Sequence, residues 1–198
     1  LDRYFPDCAY FREPERFDRH LDKLRRAGED HRVHYLSICS PNFLHDAHIR
    51  LALRSGAHAI CEKPLVLNPW NCDVLQELEE ESGKRIYTIL QLRVHPSVVA
   101  LKKRIDAEAP GTKHEVNLQY ITSRGKWYLF SWKGDEHKAG GLATNIGIHF
   151  FDMLMWIFGP VQENTVHLYQ SDAAAGYLSL KNARVRWFLS VNALYLPH

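Results

Sequence analysis

Between residues 14 and 30, charged side chains alternate with Phe17, Leu21 and Leu24, spaced i, i+4 and i+7, before the chain reaches Gly28. That spacing predicts an amphipathic helix with a glycine stop. The run HYLSICS reads as a buried strand. PNFLHDAHIRLALRSG then opens on a Pro41-Asn42 turn and carries Leu44, Ala47, Ile49, Leu51 and Leu53 along a helix to Gly56. HAICEK predicts a second strand, Pro69 to Gly83 a helix rich in Leu and Glu, RIYTILQL a third strand and HPSVVALKKRID a further helix. Alternation at this spacing implies βαβ units and a parallel sheet with right-handed crossovers.

After Pro110-Gly111 the period changes. KHEVNLQYITS alternates with period two, as a half-buried strand does. Residues 124–140 read as a Trp-, Lys- and Gly-rich loop, and LATNIGIHFFDMLMWIFG as a strongly apolar helix ending at Gly159-Pro160. ENTVHLYQ, AGYLSLKN and ARVRWFLSVNAL read as successive strands, with KNA as a hairpin turn. The expected fold class is α/β. A partial, doubly wound parallel sheet over residues 1–110 would form a dinucleotide-binding domain. Residues 111–198 would form an α+β substrate and oligomerisation domain with an open-faced, mostly antiparallel sheet. Leu178, Leu180, Trp187 and Leu189 are expected on that open face, where apolar surface finds a partner, so a homo-oligomer (dimer or tetramer) is expected. A nucleotide-binding open sheet begins with a strand, a glycine-rich turn and a helix. The 198 residues contain no GxGxxG, begin with LDRYFPDC and end at NALYLPH. They therefore read as a piece lacking roughly one βαβ unit, on the order of 30 residues or more.

Composition narrows the class. A hydrophobic share of 45% with 12% aromatics supports a packed core and excludes disorder. A formal charge of +2 gives no electrostatic case for a nucleic-acid partner. Cys8, Cys39, Cys61 and Cys72 show neither CxxC nor Cys/His metal spacing, so no metal site is expected. Three of them lie in or beside apolar segments and read as reduced, buried thiols of a cytoplasmic protein. No apolar run approaches the roughly 20 residues of a membrane span, and no charged-then-apolar leader opens the chain.

Three stretches carry candidate chemistry. In AICEKPLVL, Glu62 and Lys63 interrupt two apolar runs, where desolvating a charge without a partner is costly. They fall at the carboxyl end of a predicted parallel strand, where open α/β sheets bind ligands; a strand-end ion pair would also account for them. Pro64 turns the chain sharply there and admits a cis bond. In SICSPNFLHDAH, the Ser40-Pro41-Asn42 turn lies on the same edge, its Pro ring and amide suited to a ribose or adenine, although Asn42 would serve equally as a helix cap. His45, in the following helix, would face a phosphate or plain solvent. In GGLATNIGIHFFD, Asn145 and His149 stand four apart, on one face if the segment is helical, with Asp152 three further on. A single His in an apolar helix is most often a core residue; Gly140, Gly141 and Gly147 favour close approach of a ligand.

The run S-P-N-x-x-H, then E-K-P, then Gln91-x-Arg93, then G-G-x-x-x-N-x-G-x-H resembles the Gfo/Idh/MocA oxidoreductases in order and spacing, over nearly the whole chain. YITSRGKWYLFSWKGD is similar to the branch of UDP-N-acetylglucosaminuronate 3-dehydrogenases of the WbpB/WlbA type. The resemblance implies a Rossmann domain holding NAD, with NADP left open. It implies Ser40, Pro41, Asn42, His45, Glu62, Lys63 and Gln91 at the cofactor, and Lys63, His149 and Asn145 in catalysis. Arg93, Arg124, Trp127, Tyr128, Trp132, Lys133, Asn145 and His149 would line the substrate. The implied reaction moves a hydride from a sugar carbinol, the 3-hydroxyl of a UDP-N-acetyl-hexuronic acid, to NAD in surface-polysaccharide biosynthesis. His149 or Lys63 would take the hydroxyl proton. Where relatives carry Asp, Asn145 would orient His149 without raising its basicity. Without the glycine loop, the chain as given is expected to bind dinucleotide poorly. A non-catalytic nucleotide-sugar sensor and a dehydrogenase of a free sugar or inositol remain the rival readings.

Overall fold

The computed structural model describes residues 4–196, with the side chains of all of these except Lys126 and Leu129; Leu1–Arg3 and Pro197–His198, the ends of the two terminal stretches quoted above, lie outside the described residues. In chain order the first elements are α1 (Pro14–Arg26), β1 (Tyr35–Ile38), α2 (His45–Arg54), β2 (His58–Cys61), α3 (Trp70–Ser82), β3 (Ile86–Thr88) and α4 (Pro96–Asp106). β4 (His114–Ile121), the short α5 (Lys126–Phe130) and α6 (Glu136–Ala139), α7 (Ile148–Phe158), β5 (Val161–Tyr169), β6 (Ala173–Leu180) and β7 (Ala183–Ser190) follow.

β1, β2 and β3 form a three-stranded parallel sheet in sequence order, as the alternating pattern predicts. Ile38, Ala59 and Cys61 share a buried core with Ile49, Ala52 and Leu53 of α2 and Leu75 of α3. α3 ends at Gly83, whose φ of 63° is the left-handed cap that glycine adopts without a Cβ clash. The third strand is shorter than the apolar run suggests: it stops at Thr88, and Gln91–Val94 form a 3₁₀ turn.

The second sheet has the order β4-β7-β6-β5, parallel between β4 and β7 and antiparallel elsewhere. Its covered face packs on α7: Leu154, Ile157 and Phe158 share one core with Leu180, Val185 and Leu189, and the Phe151 and Trp187 rings meet edge to face at 5.1 Å. Ile105 of α4 is buried in this core, with Val98 and Leu101 packed against it. Leu178, Leu180, Trp187 and Leu189, expected on the open face, are all buried on the covered one. Period-two alternation fixes which residues share a face but not which face meets the helix. The open face instead exposes Glu115, Asn117 and Gln119 of β4 with Arg184 and Arg186 of β7, and Glu115 and Arg184 pair across the strands at 3.3 Å.

One further expectation changes. Of the cysteines only Cys61 is buried, its thiol pushed up to about 12 by burial first and the Glu62 charge second; Cys8, Cys39 and Cys72 are exposed. By length and composition alone the stretch Glu136–Phe158 would suffice to cross a membrane, but the left-handed Gly140 (φ 85°) breaks it after α6. It lies instead on the second sheet, with Leu154, Ile157 and Phe158 inside the core. Leu189→Ala is expected to destabilise the protein by about 2–5 kcal/mol, because a fully buried leucine leaves a cavity. Arg186→Ala on the open face should stay within about 0.5 kcal/mol. Urea unfolding midpoints of the two variants check the contrast.

Candidate active site

All three parallel strands end on one edge, and the chain leaves each through a segment with candidate residues: Ser40 to Asn42 after β1, Glu62 and Lys63 after β2, Gln91 and Arg93 after β3. The Glu62 N–H donates to the Ile38 carbonyl at 2.9 Å, so the charged pair begins where the ladder ends. The Lys63-Pro64 bond is cis. Glu62 stays close, accepting the Lys63 N–H at 3.3 Å.

His45 is 0% exposed. Its Nδ1 lies 2.6 Å from the Pro64 carbonyl oxygen and its Nε2 2.9 Å from the Ser40 carbonyl oxygen. The expectation that it faces a phosphate is therefore corrected: both ring nitrogens are engaged inside the protein, where His45 ties the turn after β1 to the turn after β2. Asn42 is also buried, and it caps no helix. Its Nδ2 donates across the cleft to the Ala139 carbonyl at 2.9 Å and to Asn145 Oδ1 at 3.2 Å, so its amide joins the two sheets' modules rather than lying against a dinucleotide. Ser40 and Pro41 remain half-buried and Gln91 exposed at this edge.

On the other side of the cleft, the helix leading into α7 opens with a π turn over Ala143–Gly147. A π turn shifts the ladder by one residue and sits most often at functional sites. Gly147 lets this turn lie directly on β7; a Cβ there would come within 2.9 Å of Leu189 and 2.6 Å of the Phe151 ring. The glycine thus serves packing against the sheet, not approach of a ligand.

Asn145 is the hub of the cleft. Lys63 Nζ donates to its backbone carbonyl at 2.6 Å and approaches its Oδ1 at 3.4 Å. Asn145 Nδ2 in turn donates to the hydroxyl of buried Tyr128 at 3.3 Å. The expected hydrogen bond from Asn145 to His149 is absent among the described residues, because these partners occupy the amide. His149 Nδ1 is buried with no partner among the described residues. Burial first, then the nearby Lys63 charge, lowers the His149 pKa, against smaller upward pulls from Glu62 and Asp152. Burial likewise lowers the Lys63 pKa; Glu62 opposes this, and Lys133 and Arg124 add to it. His149 thus feels the Lys63 charge.

Arg93, expected at the substrate, forks onto Asp152, its Nε 2.8 Å from Oδ2 and a second nitrogen on Oδ1. Its side chain keeps 44% of its surface exposed, so the pairing leaves part of the guanidinium free. The aromatic–basic segment is three short helical pieces rather than a loop. Lys133 Nζ sits 5.6 Å from the ring centres of both Trp127 and Trp132. Arg124 and Trp127 are exposed and Trp132 is half-buried, whereas Tyr128 presents its hydroxyl to Asn145. A concavity of about 450 Å³ lies apart from this cluster, between residues 9–17 and β1, and reaches Ser40 and His48.

Sequence reasoning missed Asp152 as the partner of Arg93. Its signal was a carboxylate inside HFFDMLMW, which demands a counter-charge. The donor set fits the nicotinamide half of a dinucleotide: a carboxylate for ribose hydroxyls at Glu62, an amide at Gln91, and an amine at Lys63 whose third N–H has no partner among the described residues.

A family model described as an oxidoreductase family, NAD-binding Rossmann fold, matches residues 7–90, and one described as the same family's C-terminal alpha/beta domain matches residues 102–197. The WlbA (WbpB) dehydrogenase from Thermus thermophilus, solved in complex with NAD and UDP-GlcNAcA, is 55% identical with a TM-score of 0.93 over 99% of this chain and 62% of that one. The D-glucoside 3-dehydrogenase of Escherichia coli is 27% identical over 68% of this chain, and the putative UDP-kanosamine synthase oxidoreductase subunit of Amycolatopsis mediterranei 33% over 62%. The chain spans 39% and 34% of the length of these two relatives.

A histidine whose folded pKa is depressed binds fewer protons than in the unfolded chain, so its contribution to stability is intact above about pH 6.5 and is lost as pH falls through the folded value. Wild type should therefore lose more stability than His149→Gln between about pH 8 and pH 5. Urea titrations at the two pH values check this; equal losses would contradict the burial of the imidazole.

Proposed function

We propose the substrate and the chemistry of a chain that belongs to the Gfo/Idh/MocA oxidoreductase family. It oxidises the 3-hydroxyl of a UDP-N-acetyl-hexuronic acid, in the cytoplasm, as a step toward surface polysaccharide. Residues 1–110 hold the dinucleotide, and residues 111–198 hold the sugar. The observation that carries the reading is the Lys63–Asn145 contact. It brings an amine from one module onto the helix that, one turn later, presents an imidazole from the other. Support for the substrate comes from the Thermus thermophilus dehydrogenase, 55% identical over 99% of this chain and crystallised with NAD and UDP-GlcNAcA.

Bound NAD supplies the hydride acceptor. The protein supplies position and proton handling. Glu62 and Gln91 border the nicotinamide ribose, and the Ser40-Pro41 turn lines the same edge. Lys63 and His149 flank the hydroxyl: one takes its proton, and the other hydrogen-bonds the oxygen as negative charge develops there. Lys133, framed by Trp127 and Trp132, and Arg124 meet the pyrophosphate or the carboxylate of the substrate.

The full-length protein with NAD and UDP-N-acetylglucosaminuronate should produce reduced nicotinamide absorbance, and Lys63→Ala and His149→Ala should each lower its kcat/KM by about 10²–10⁴-fold. Binding of both ligands without turnover would favour a sensor instead. Arg124→Ala with Lys133→Ala should raise KM about tenfold or more for the anionic substrate, since a hydrogen bond to a charged group contributes about 1.5–3 kcal/mol. An unchanged KM, or faster turnover of a free sugar, would assign the enzyme a neutral substrate.

A further inference from the structure

We propose that the small pocket between Lys133 and Tyr169 receives a phosphate of the substrate's nucleotide. Tyr169 is a positioning residue there: by holding Glu136 it keeps a carboxylate off Lys133, so the cation stays available to an anion. This rests on the reading above that the substrate is a nucleotide sugar.

The stretch KGDEHK, residues 133–138, sets a lysine close to two carboxylates. An ion pair from Lys133 to Glu136, three residues on, is the ordinary outcome of that spacing. The fold engages both carboxylates elsewhere. Asp135 Oδ1 caps α6 by accepting the His137 N–H at 3.0 Å, and its Oδ2 lies 3.2 Å from Lys138 Nζ. Glu136 Oε1 accepts the hydroxyl of Tyr169, the last residue of β5. Among the described residues no carboxylate lies within ion-pair distance of Lys133 Nζ. The two indoles 5.6 Å from it attract the cation without neutralising it.

Gly141 makes room for the tyrosine. Its φ is 73°, and a Cβ there would lie 2.5 Å from the Tyr169 oxygen and 3.4 Å from Glu136 Oε1. The hydrogen bond to Glu136 first, then burial and the Glu136 charge, raise the Tyr169 pKa, so the phenol keeps its proton and remains a donor at neutral pH. If the phenol let go, Glu136 would compete with an incoming anion for Lys133.

Lys133, Glu136 and Tyr169 line one pocket of about 50 Å³ with Tyr128, Gly141 and Ser171. Pockets that enclose a whole ligand run to about 300–1,000 Å³. This one suits a single group of a ligand whose remainder lies outside it. Tyr128 joins the pocket to the cleft, since its hydroxyl meets Asn145, and the Lys133 charge acts on Lys63. Gly141 precedes His149 by eight residues, about 12 Å of helix at about 1.5 Å per residue. A uronate carboxylate is carried on the same ring as the reacting carbinol and stays near it. The diphosphate, beyond the anomeric oxygen, reaches farther, and a phosphate is therefore the group for this slot.

The test measures UDP binding to the full-length protein by calorimetry, together with KM for UDP-N-acetylglucosaminuronate. Lys133→Ala should weaken UDP binding about tenfold or more. Tyr169→Phe removes the donor, frees Glu136 to pair with Lys133 and should weaken UDP binding about two- to fivefold, raising KM while kcat moves less. Adding Glu136→Gln to Tyr169→Phe should restore the wild-type affinity, which a tyrosine that only supports the fold would not allow. In the Lys133→Ala background Tyr169→Phe should have no further effect. Glu136→Gln alone should bind UDP at least as tightly as wild type, which keeps the test open if Tyr169→Phe fails to fold. Unchanged UDP affinity in Tyr169→Phe, a loss that Glu136→Gln does not rescue, or weaker binding by Glu136→Gln alone overturns the proposal. So does a Tyr169→Phe effect confined to free N-acetylglucosaminuronate, which would give the slot to the carboxylate. UDP affinities that respond as expected while UDP-N-acetylglucosaminuronate is not oxidised would refute the substrate and leave the slot standing. Oxidation of that substrate by a protein whose UDP affinity ignores these substitutions does the reverse.

Discussion

Asn145 can satisfy Lys63, Asn42 and Tyr128 only while the two sheets' modules hold one relative placement. Its backbone carbonyl and Oδ1 face the first module, and its Nδ2 faces the aromatic segment of its own module. All of these polar atoms lie in or beside buried residues, where an unmatched donor or acceptor costs about 1–3 kcal/mol. The arrangement therefore behaves as a set, and its cost of disruption is what makes the cleft a defined place. The cation that would meet a substrate oxygen is held by a neighbour across the domain junction rather than by its own strand.

A second tie runs parallel to the first. Arg93, just beyond the third strand, grips Asp152, one turn past His149 on α7. Asn145 and Asp152 thus bracket His149 along the helix, each bound to the opposite module. The imidazole itself lacks a fixed partner for Nδ1, so its placement comes from the helix backbone and these flanking anchors. Residues on either side of a reactive group can position it without touching it.

The order of strands and helices was legible in the sequence because each element carries its own period, and the carboxyl-edge rule then located Glu62 and Lys63. What was not legible depended on pairings between distant segments. SPN looks like a ligand-facing turn, yet Asn42 spends its amide on Ala139 and Asn145, about a hundred residues away in sequence. The spacing from Asn145 to His149 implied a shared helix face; the π turn between them alters that geometry and no single-residue preference announces it. On the second sheet, alternation separated the two sets of side chains correctly, but only the packing of α7 decides that Leu178 and Leu189 belong inside.

The extra residue accommodated between Ala143 and Gly147 bears on how this site tolerates change in length. Losing one residue there would restore an unbroken α-helical period, and α7 could keep its grip on the sheet. The turns on either side would keep their places around the axis, because the wider turn is what absorbs the extra residue, while the side chains within residues 143–147 would be re-aimed. Asn145 would then aim away from the amine while the fold persisted. Evolution can repair most side-chain losses here by substitution, but a lineage that deleted this single position would discard its chemistry in one event while retaining a well-packed protein.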